Sequence, residues 1–468
     1  MNTPSTFFDK VWKDHVIMRQ EAEDLLQVDR LLLHDQGGTA LRKLKKSGRL
    51  VACTSQVFSV FDHLVETRPG RGESESTITA GSEMIRSARS MTKEYGLTSF
   101  DIGNPAQGII HVIATEQGIA LPGLTVACPD SHACTVGGIG AIGIALSATD
   151  GEHILATQTL SLPKPKNMRI TLSGKIPEGV SAKDIALHVI SKVGASGGIG
   201  YAVEFAGSAV TAMPVEGRLT LCNLSIDFSA NSGFIAPDET VFQYASGRPC
   251  APRDVLFEHA CAYWKTLKTD PGATFDQEVD VDVDGLAPYV TWGTSLDQVV
   301  ALGGLVPDPA TVPDPAARAL HEHALEYVKL KPGQPIDGVP IDVAYIGSCT
   351  NSRLSDLRSA AAVLKGRKIA PGITAICVPG SSTVKREAEA EGLDRIFKDA
   401  GFEWHESGCG MCSADGRTVF ANRRVISTTN RNFEGRQGPL TRTHLASPAT
   451  VAASAVAGKI ADARKFVG

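Results

Sequence analysis

The chain has 468 residues, 43% of them hydrophobic and 21% charged, with a net charge of −5 and a pI near 6.2. That is enough chain for roughly three domains, and the balance excludes whole-chain disorder, collagen-like repeats and low complexity. The missing basic excess argues against a nucleic-acid footprint; no apolar run approaches the ~18 residues of a membrane span; and Asp9, Lys10, Lys13 and Asp14 interrupt Phe7, Phe8 and Trp12, so the opening is no signal peptide. A cytoplasmic protein with no nucleic-acid and no membrane partner is expected, in which ten cysteines do not form a disulfide framework.

In chain order, residues 1–165 mix helical patterns with short apolar runs, such as 108–114 (GIIHVIA) and 121–128 (LPGLTVAC), each followed by turn chemistry. Residues 166–330 form a second region. It opens with the alternating strand pattern MRITLSG from Met168, then passes through a glycine-rich stretch at 194–200 and the run 218–224. Prolines and aspartates at 306–315 read as an exposed connection, and a second breaker cluster at 331–339 introduces the last region, 331–468. There the pattern predicts strands over 342–346, 373–378 and 425–427, and helices over 352–365 and 382–400, the latter broken by a glycine. A terminal alanine-rich helix is opened by Ser447 as N-cap and Pro448 at the first helical position. Strands alternating with helices predict a parallel sheet covered on both faces.

Three cysteines carry the strongest chemical signal. Cys349, in GSCTNSR, lies just past a predicted strand, where open α/β sheets bind ligands. Cys409 and Cys412 form GCGMC, and Gly347, Gly408 and Gly410 would let backbone N–H groups approach a bulky anionic ligand. Structural zinc wants four ligands, and only one pair and one single are visible. A redox Cys-x-x-Cys would need a thioredoxin-like setting. An iron–sulfur cluster with three cysteine ligands fits best, with bland buried or zinc-binding cysteines as the alternatives.

A second signal is a set of histidines beside carboxylates: Asp62-His63 in VFDHLVE, His111 in GIIHV, and Asp130-Ser131-His132 after an apolar run. A neighbouring aspartate fixes an imidazole's tautomer and raises its basicity, which suits proton transfer on hydroxy acids. Each alone also reads as an ordinary core or surface histidine. A third signal is NRNFEGR, where Arg431 and Arg436 flank a glycine and could grip carboxylates bidentately; a solvated basic loop reads as well. Gly138, Gly140 and Gly143 satisfy G-x-G-x-x-G, but they follow Asp-Ser-His rather than a strand that runs into a helix, so no dinucleotide site is expected.

Together these blocks resemble the aconitase superfamily, and within it the large subunits of 3-isopropylmalate dehydratase. The resemblance runs nearly end to end, through VDRLLLHD, FDHLVE, DSHACTVGGIGA, GGIGYAVEF, EGRLTLCN, IGSCTNSRLSDLR, GCGMC and NRNFEGRQG. It implies three doubly wound α/β/α domains, over 1–165, 166–330 and 331–468, around a central iron–sulfur site. It implies one 4Fe-4S cluster per chain, held by Cys349, Cys409 and Cys412, with the fourth iron open to substrate or water. The implied reaction is hydro-lyase chemistry: 2- and 3-isopropylmalate interconverted through 2-isopropylmaleate, in leucine biosynthesis. Implied catalytic groups are Asp62 with His63, His111 with Asp130, and His132 with Asp227. Implied substrate or cluster contacts are His34, Ser131, Asn223, Arg431 and Arg436.

The sequence departs from the family pattern at Pro129 and Ala133, at Asp227 where a glutamate is usual, and in a shorter stretch between Cys412 and Asn430. Because Asp is one methylene shorter, its contact to His132 is expected to lengthen or to gain a bridging water. A paralogous hydro-lyase acting on another alkylmalate (dimethylmalate, citramalate or homoaconitate type) would share these features, and an RNA-binding regulator is the reading from another class. The family's catalytic serine lies on a swivelling domain for which this chain has no room before Gly468, so a small partner subunit carrying that domain is expected, in a heterodimer or a larger assembly.

Overall fold

Short aliphatic runs make three parallel sheets in the computed structural model, which describes residues 3–72, 76, 78, 80–413 and 418–466. The first sheet has the spatial order Thr98–Phe100, Val57–Val60, Arg30–Leu33, Thr125–Cys128, Ile142–Ala145. Val57–Val60 and Thr125–Cys128 are buried at every position, as parallel strands covered on both faces must be. The second sheet runs Ser232–Phe234, Tyr201–Ala206, Lys166–Ser173, Gln277–Asp282. The third runs Glu403–Trp404, Thr374–Cys377, Val343–Ile346, Arg424–Ser427, Arg442–Leu445. A small antiparallel sheet (Val16–Arg19, Asp24–Gln27, Thr159–Leu162) and a two-stranded pair (Tyr289–Thr291, Val299–Ala301) complete the strands. The α/β class with parallel sheets is the one the alternation predicts.

In the first and third sheets the chain starts at the central strand, steps outward to one edge, then returns to fill the other side. Such a reversal opens a crevice beyond the carboxyl ends of the strands. The first sheet's strand ends deliver His34, Asp62-His63 and Asp130-Ser131-His132; the third's deliver Cys349 and Asn430-Arg431.

The third sheet is covered unevenly. Ala344, Ile346, Ala375, Cys377 and Ile426 pack under Leu357, Ala361 and Leu364 of helix Leu354–Leu364 and Val451 and Ala452 of helix Pro448–Ala457. On the opposite face, Val343, Tyr345, Ile376, Val378 and Val425 cluster with Met411 and Phe420. Among the described residues that face is covered by the loop bearing Cys409 and Cys412, where a helix is expected.

Two apolar runs that the pattern left unassigned, and one strand it did not mark, have local causes. The apolar run 108–114 enters helix Ile110–Glu116, whose first six residues are all buried; an element buried all round shows no periodicity to read. Likewise 218–224 lies in helix Val215–Asn223. Strand Arg442–Leu445 goes unread because its polar residues are satisfied by distant partners: His444 Nδ1 lies 2.7 Å from Thr291 O. The G-x-G-x-x-G glycines serve packing. The turn Ser131–Ile139 lies against helix Val215–Asn223 so closely that a Cβ on Gly138 would sit 2.5 Å from Leu219 N.

Arg218 anchors that helix from inside. It is fully buried, and its guanidinium holds both Asp238 carboxylate oxygens at 2.8 Å and donates to Met213 O and Thr211 O at 3.1 Å. Removing one partner of a buried pair leaves the other charge uncompensated. Asp238→Ala is expected to destabilise the chain by about 3 kcal/mol, read as a lower urea midpoint at unchanged slope.

Candidate active site

A single cavity collects most of the sequence-derived candidates. Cys349, Cys409 and Cys412 line it, as do His63, His111 and Asp130. Ser131, His132, Arg431 and Arg436 complete the wall with Gln36, Ile109 and Asn430.

Asp130 is the pivot. Its Oδ1 is 2.7 Å from His111 Nε2 and accepts the His132 backbone N–H at 2.7 Å, while Oδ2 is 3.1 Å from His63 Nε2. Burial alone would raise its pKa. The facing His111 charge and hydrogen bonds from three histidines overrule that and hold the carboxyl well below its usual range. Asp62 orients His63 from the other side, Oδ1 to Nδ1 at 2.7 Å, and its Oδ2 accepts the Ile110 N–H at 2.8 Å. Two of the three expected pairs are thus in contact, and the second His63 contact, to Asp130, is additional.

His132 Nε2 lies 3.3 Å from Asp227 Oδ2, long for a charge-assisted bond. The carboxylate's other oxygen accepts from Arg431 Nε at 2.8 Å, so Asp227 couples the histidine to the arginine loop. Burial would lower the His132 pKa; the Asp227 charge and the bonds to Asp130 and Asp227 raise it to about 9.

The cysteines sit in a field of donors. Asn223 Nδ2 is 3.2 Å from Cys349 Sγ, Asn430 Nδ2 3.6 Å from the same sulfur, and Arg436 Nη2 3.7 Å from Cys412 Sγ. Ser348 Oγ lies 3.4 Å from Cys412 Sγ, and its φ of +90° holds the residue before Cys349 in a conformation that L side chains rarely adopt. Tyr345, rising from the third sheet, accepts the Met411 N–H at 2.9 Å and donates to Cys409 O at 3.3 Å. A Cβ on Gly410 (φ +55°) would fall 2.4 Å from that hydroxyl. Burial raises the Cys349 thiol to about 12, so a thiolate there needs a bound cation.

Some candidates stand back from the cavity. His34 is buried behind His63, rings 4.5 Å apart, with Nε2 3.1 Å from Pro129 O. Asn223 is fully buried and faces the Cys349 sulfur. Asp62 and Asp227 do not line the cavity; each faces a histidine that does, His63 and His132 respectively. Sequence reasoning passed over Asn430, Ser348, Gln36 and Ile109. Asn430, Ser348 and Ile109 stood inside motifs already singled out, whereas nothing in the sequence marked Gln36 or Tyr345 as a site residue.

The chain belongs to the aconitase family: the family model (aconitate hydratase) matches residues 9–458. Membership implies an iron–sulfur cluster, and the cysteines for one are present. Over 462 residues the chain is 53% identical to 3-isopropylmalate dehydratase large subunit 1 of Bradyrhizobium diazoefficiens, covering 98% of this chain and 96% of the relative. Among solved structures, aconitase X of Thermococcus kodakaraensis aligns with a TM-score of 0.46 at 12% identity, over 90% of this chain and 87% of that one.

The raised His132 pKa has a signed consequence. The stability His132 contributes as a cation is fully present below its ordinary value near 6.5 and is lost as pH rises through about 9. Asp227→Asn is expected to bring the His132 titration, followed by imidazole NMR, down toward 6.5, and to flatten the dependence of the urea midpoint on pH between about 6.5 and 9.

Proposed function

We propose that this chain is the large, cluster-bearing subunit of 3-isopropylmalate dehydratase, a cytoplasmic hydro-lyase that interconverts 2- and 3-isopropylmalate by dehydration and rehydration. Three domains, over 1–165, 166–330 and 331–468, contribute to it. The observation that carries the reading is the meeting of Cys349, Cys409 and Cys412 with the Asp130–histidine network on one cavity wall, in a chain 53% identical to a large subunit of that enzyme.

The three cysteines would hold one 4Fe-4S cluster, which when bound supplies an open iron as Lewis acid toward the substrate's hydroxyl. Asn223, Asn430 and Arg436 donate toward the sulfurs and disperse their charge. Arg431 and Arg436 bind substrate carboxylates, and Ser131 adds a hydroxyl contact. Among the described residues, the buried Arg436 Nε has no partner, which suits an arginine awaiting an anion. Asp130 holds His111 by Nε2 and, among the described residues, leaves its buried Nδ1 without a partner; there we place the proton exchanged with the hydroxyl. His132, protonated at neutral pH, keeps a cation beside Ser131, its Nδ1 3.1 Å from Ser131 Oγ.

The relative's name as a large subunit implies a small partner. That partner carries the swivelling domain and completes the site. A second reading, a paralogous hydro-lyase on a differently substituted malate, is favoured by one feature: among the described residues, Ile109 is the single aliphatic side chain on a wall that also carries the polar Gln36.

Anaerobic reconstitution is expected to yield about four irons and four sulfides per chain; about one zinc instead would overturn the reading. With its small subunit, the loaded chain should turn over 3-isopropylmalate best among 2- and 3-substituted malates, and Cys349→Ser should reduce turnover by roughly a thousandfold. A better substrate of another substitution pattern would establish the second reading.

A further inference from the structure

Helix Ala182–Val193 opens with a capping box, Ser181 and Asp184, and its second residue is Lys183. A lysine at an exposed first turn would need no comment, but this one is fully buried. Its Nζ donates to Thr428 O at 2.7 Å and to Thr429 O. Burying an ammonium costs several kcal/mol unless it is well paired; burial pushes its pKa down to about 7 against the pull of Asp227 and Asp184. The amino group keeps at least two N–H donors in either protonation state, so the tether survives titration.

The two carbonyls it holds sit where the site is built. Thr428 also accepts the Gly347 N–H through Oγ1 at 2.9 Å, donates to Gly347 O at 2.9 Å, and bonds Tyr345 O through its own N–H at 3.0 Å, which joins it to the Cys349 loop. The next residues are Asn430, whose side chain lies 3.5–3.6 Å from the Cys412 and Cys349 sulfurs, and Arg431, paired with Asp227. Without Lys183, two buried carbonyls would lose their donor, and the turn would shift to find water. No group in the mechanism above uses this lysine.

We propose that Lys183 is a positioning residue: from the second sheet's helix it locks the Thr428–Thr429 turn, and so aims Asn430 at the cysteine sulfurs and Arg431 at the substrate carboxylate. The inference rests on the reading of Asn430 and Arg431 given under the proposed function.

The test uses the reconstituted large–small complex with Lys183→Met, which is similar in length but cannot donate, and Lys183→Gln, which keeps donors for part of the tether should the first fail to fold. The expected result is a KM for 3-isopropylmalate raised roughly tenfold with kcat within about threefold, an altered electron paramagnetic resonance spectrum of the reduced cluster, and intermediate values for the glutamine variant. Wild-type KM and spectrum in both variants would overturn the proposal. So would activity that falls only in proportion to the loss of folded, cluster-bearing protein. Hydrogen exchange on the cluster-free chain separates the two layers. Unchanged exchange over 428–436 in the methionine variant overturns the tether even if the wild type is active. Faster exchange there, with a wild type that binds no cluster, upholds the tether and removes the function.

Discussion

The buried carboxylate of Asp130 is the constraint around which the rest of the site is arranged. A charge removed from water is tolerable only when its lone pairs are filled, and here three histidines fill them: His63 and His111 through their rings, His132 through its backbone. Because those histidines come from separate elements, satisfying one aspartate fixes the relative positions of the loops after strands Val57–Val60 and Thr125–Cys128 and of helix Ile110–Glu116. Asp62 extends the frame to the third sheet: its carboxylate caps the Ile110 N–H and its carbonyl accepts the Cys409 N–H at 2.9 Å. The histidine network and the cysteine loop are thus held by the same residues.

The third sheet solves the opposite problem, which is how to keep an irregular loop rigid. One of its faces gives up a helix layer and takes the Cys409–Cys412 loop instead, with Met411 buried in the apolar cluster and Tyr345 bonded to the loop backbone. A hydroxyl can satisfy loop N–H and C=O groups that a helix would have satisfied internally. Gly410 leaves room for that hydroxyl, and Ser348 accepts a strained φ on the other cysteine-bearing turn. Backbone strain of this kind persists where the surroundings over-determine it.

The second sheet contributes from behind. Helix Val215–Asn223 brings Asn223 to Cys349, and the segment after it brings Asp227 between His132 and Arg431. Its anchors, Arg218 and Lys183, are buried nitrogen donors held by carboxylate and carbonyl oxygens. This region therefore sets the orientation of groups that other regions supply.

Much of this was legible in the chain. The strand–helix alternation of the last region announced a parallel sheet, because burial on both faces demands short continuous aliphatic runs. Cys349, Cys409, Cys412, the Asp–His neighbours and NRNFEGR were legible because their chemistry is local: an imidazole next to an aspartate, a thiol between glycines. Helix Ile110–Glu116 and strand Arg442–Leu445 were not, since burial all round erases the helical period and polar strand residues draw on partners more than a hundred positions away. Asn223 faces the Cys349 sulfur, the side on which a cluster contact was expected, whereas packing set His34 behind His63. The sequence by itself marked the α/β alternation and the cysteine, histidine and arginine candidates, because these follow from residue type and spacing. Only the tertiary structure decided which groups share a cavity, that one aspartate serves three histidines, and that a buried lysine steadies the arginine loop, because each of these depends on distances between residues far apart in the chain.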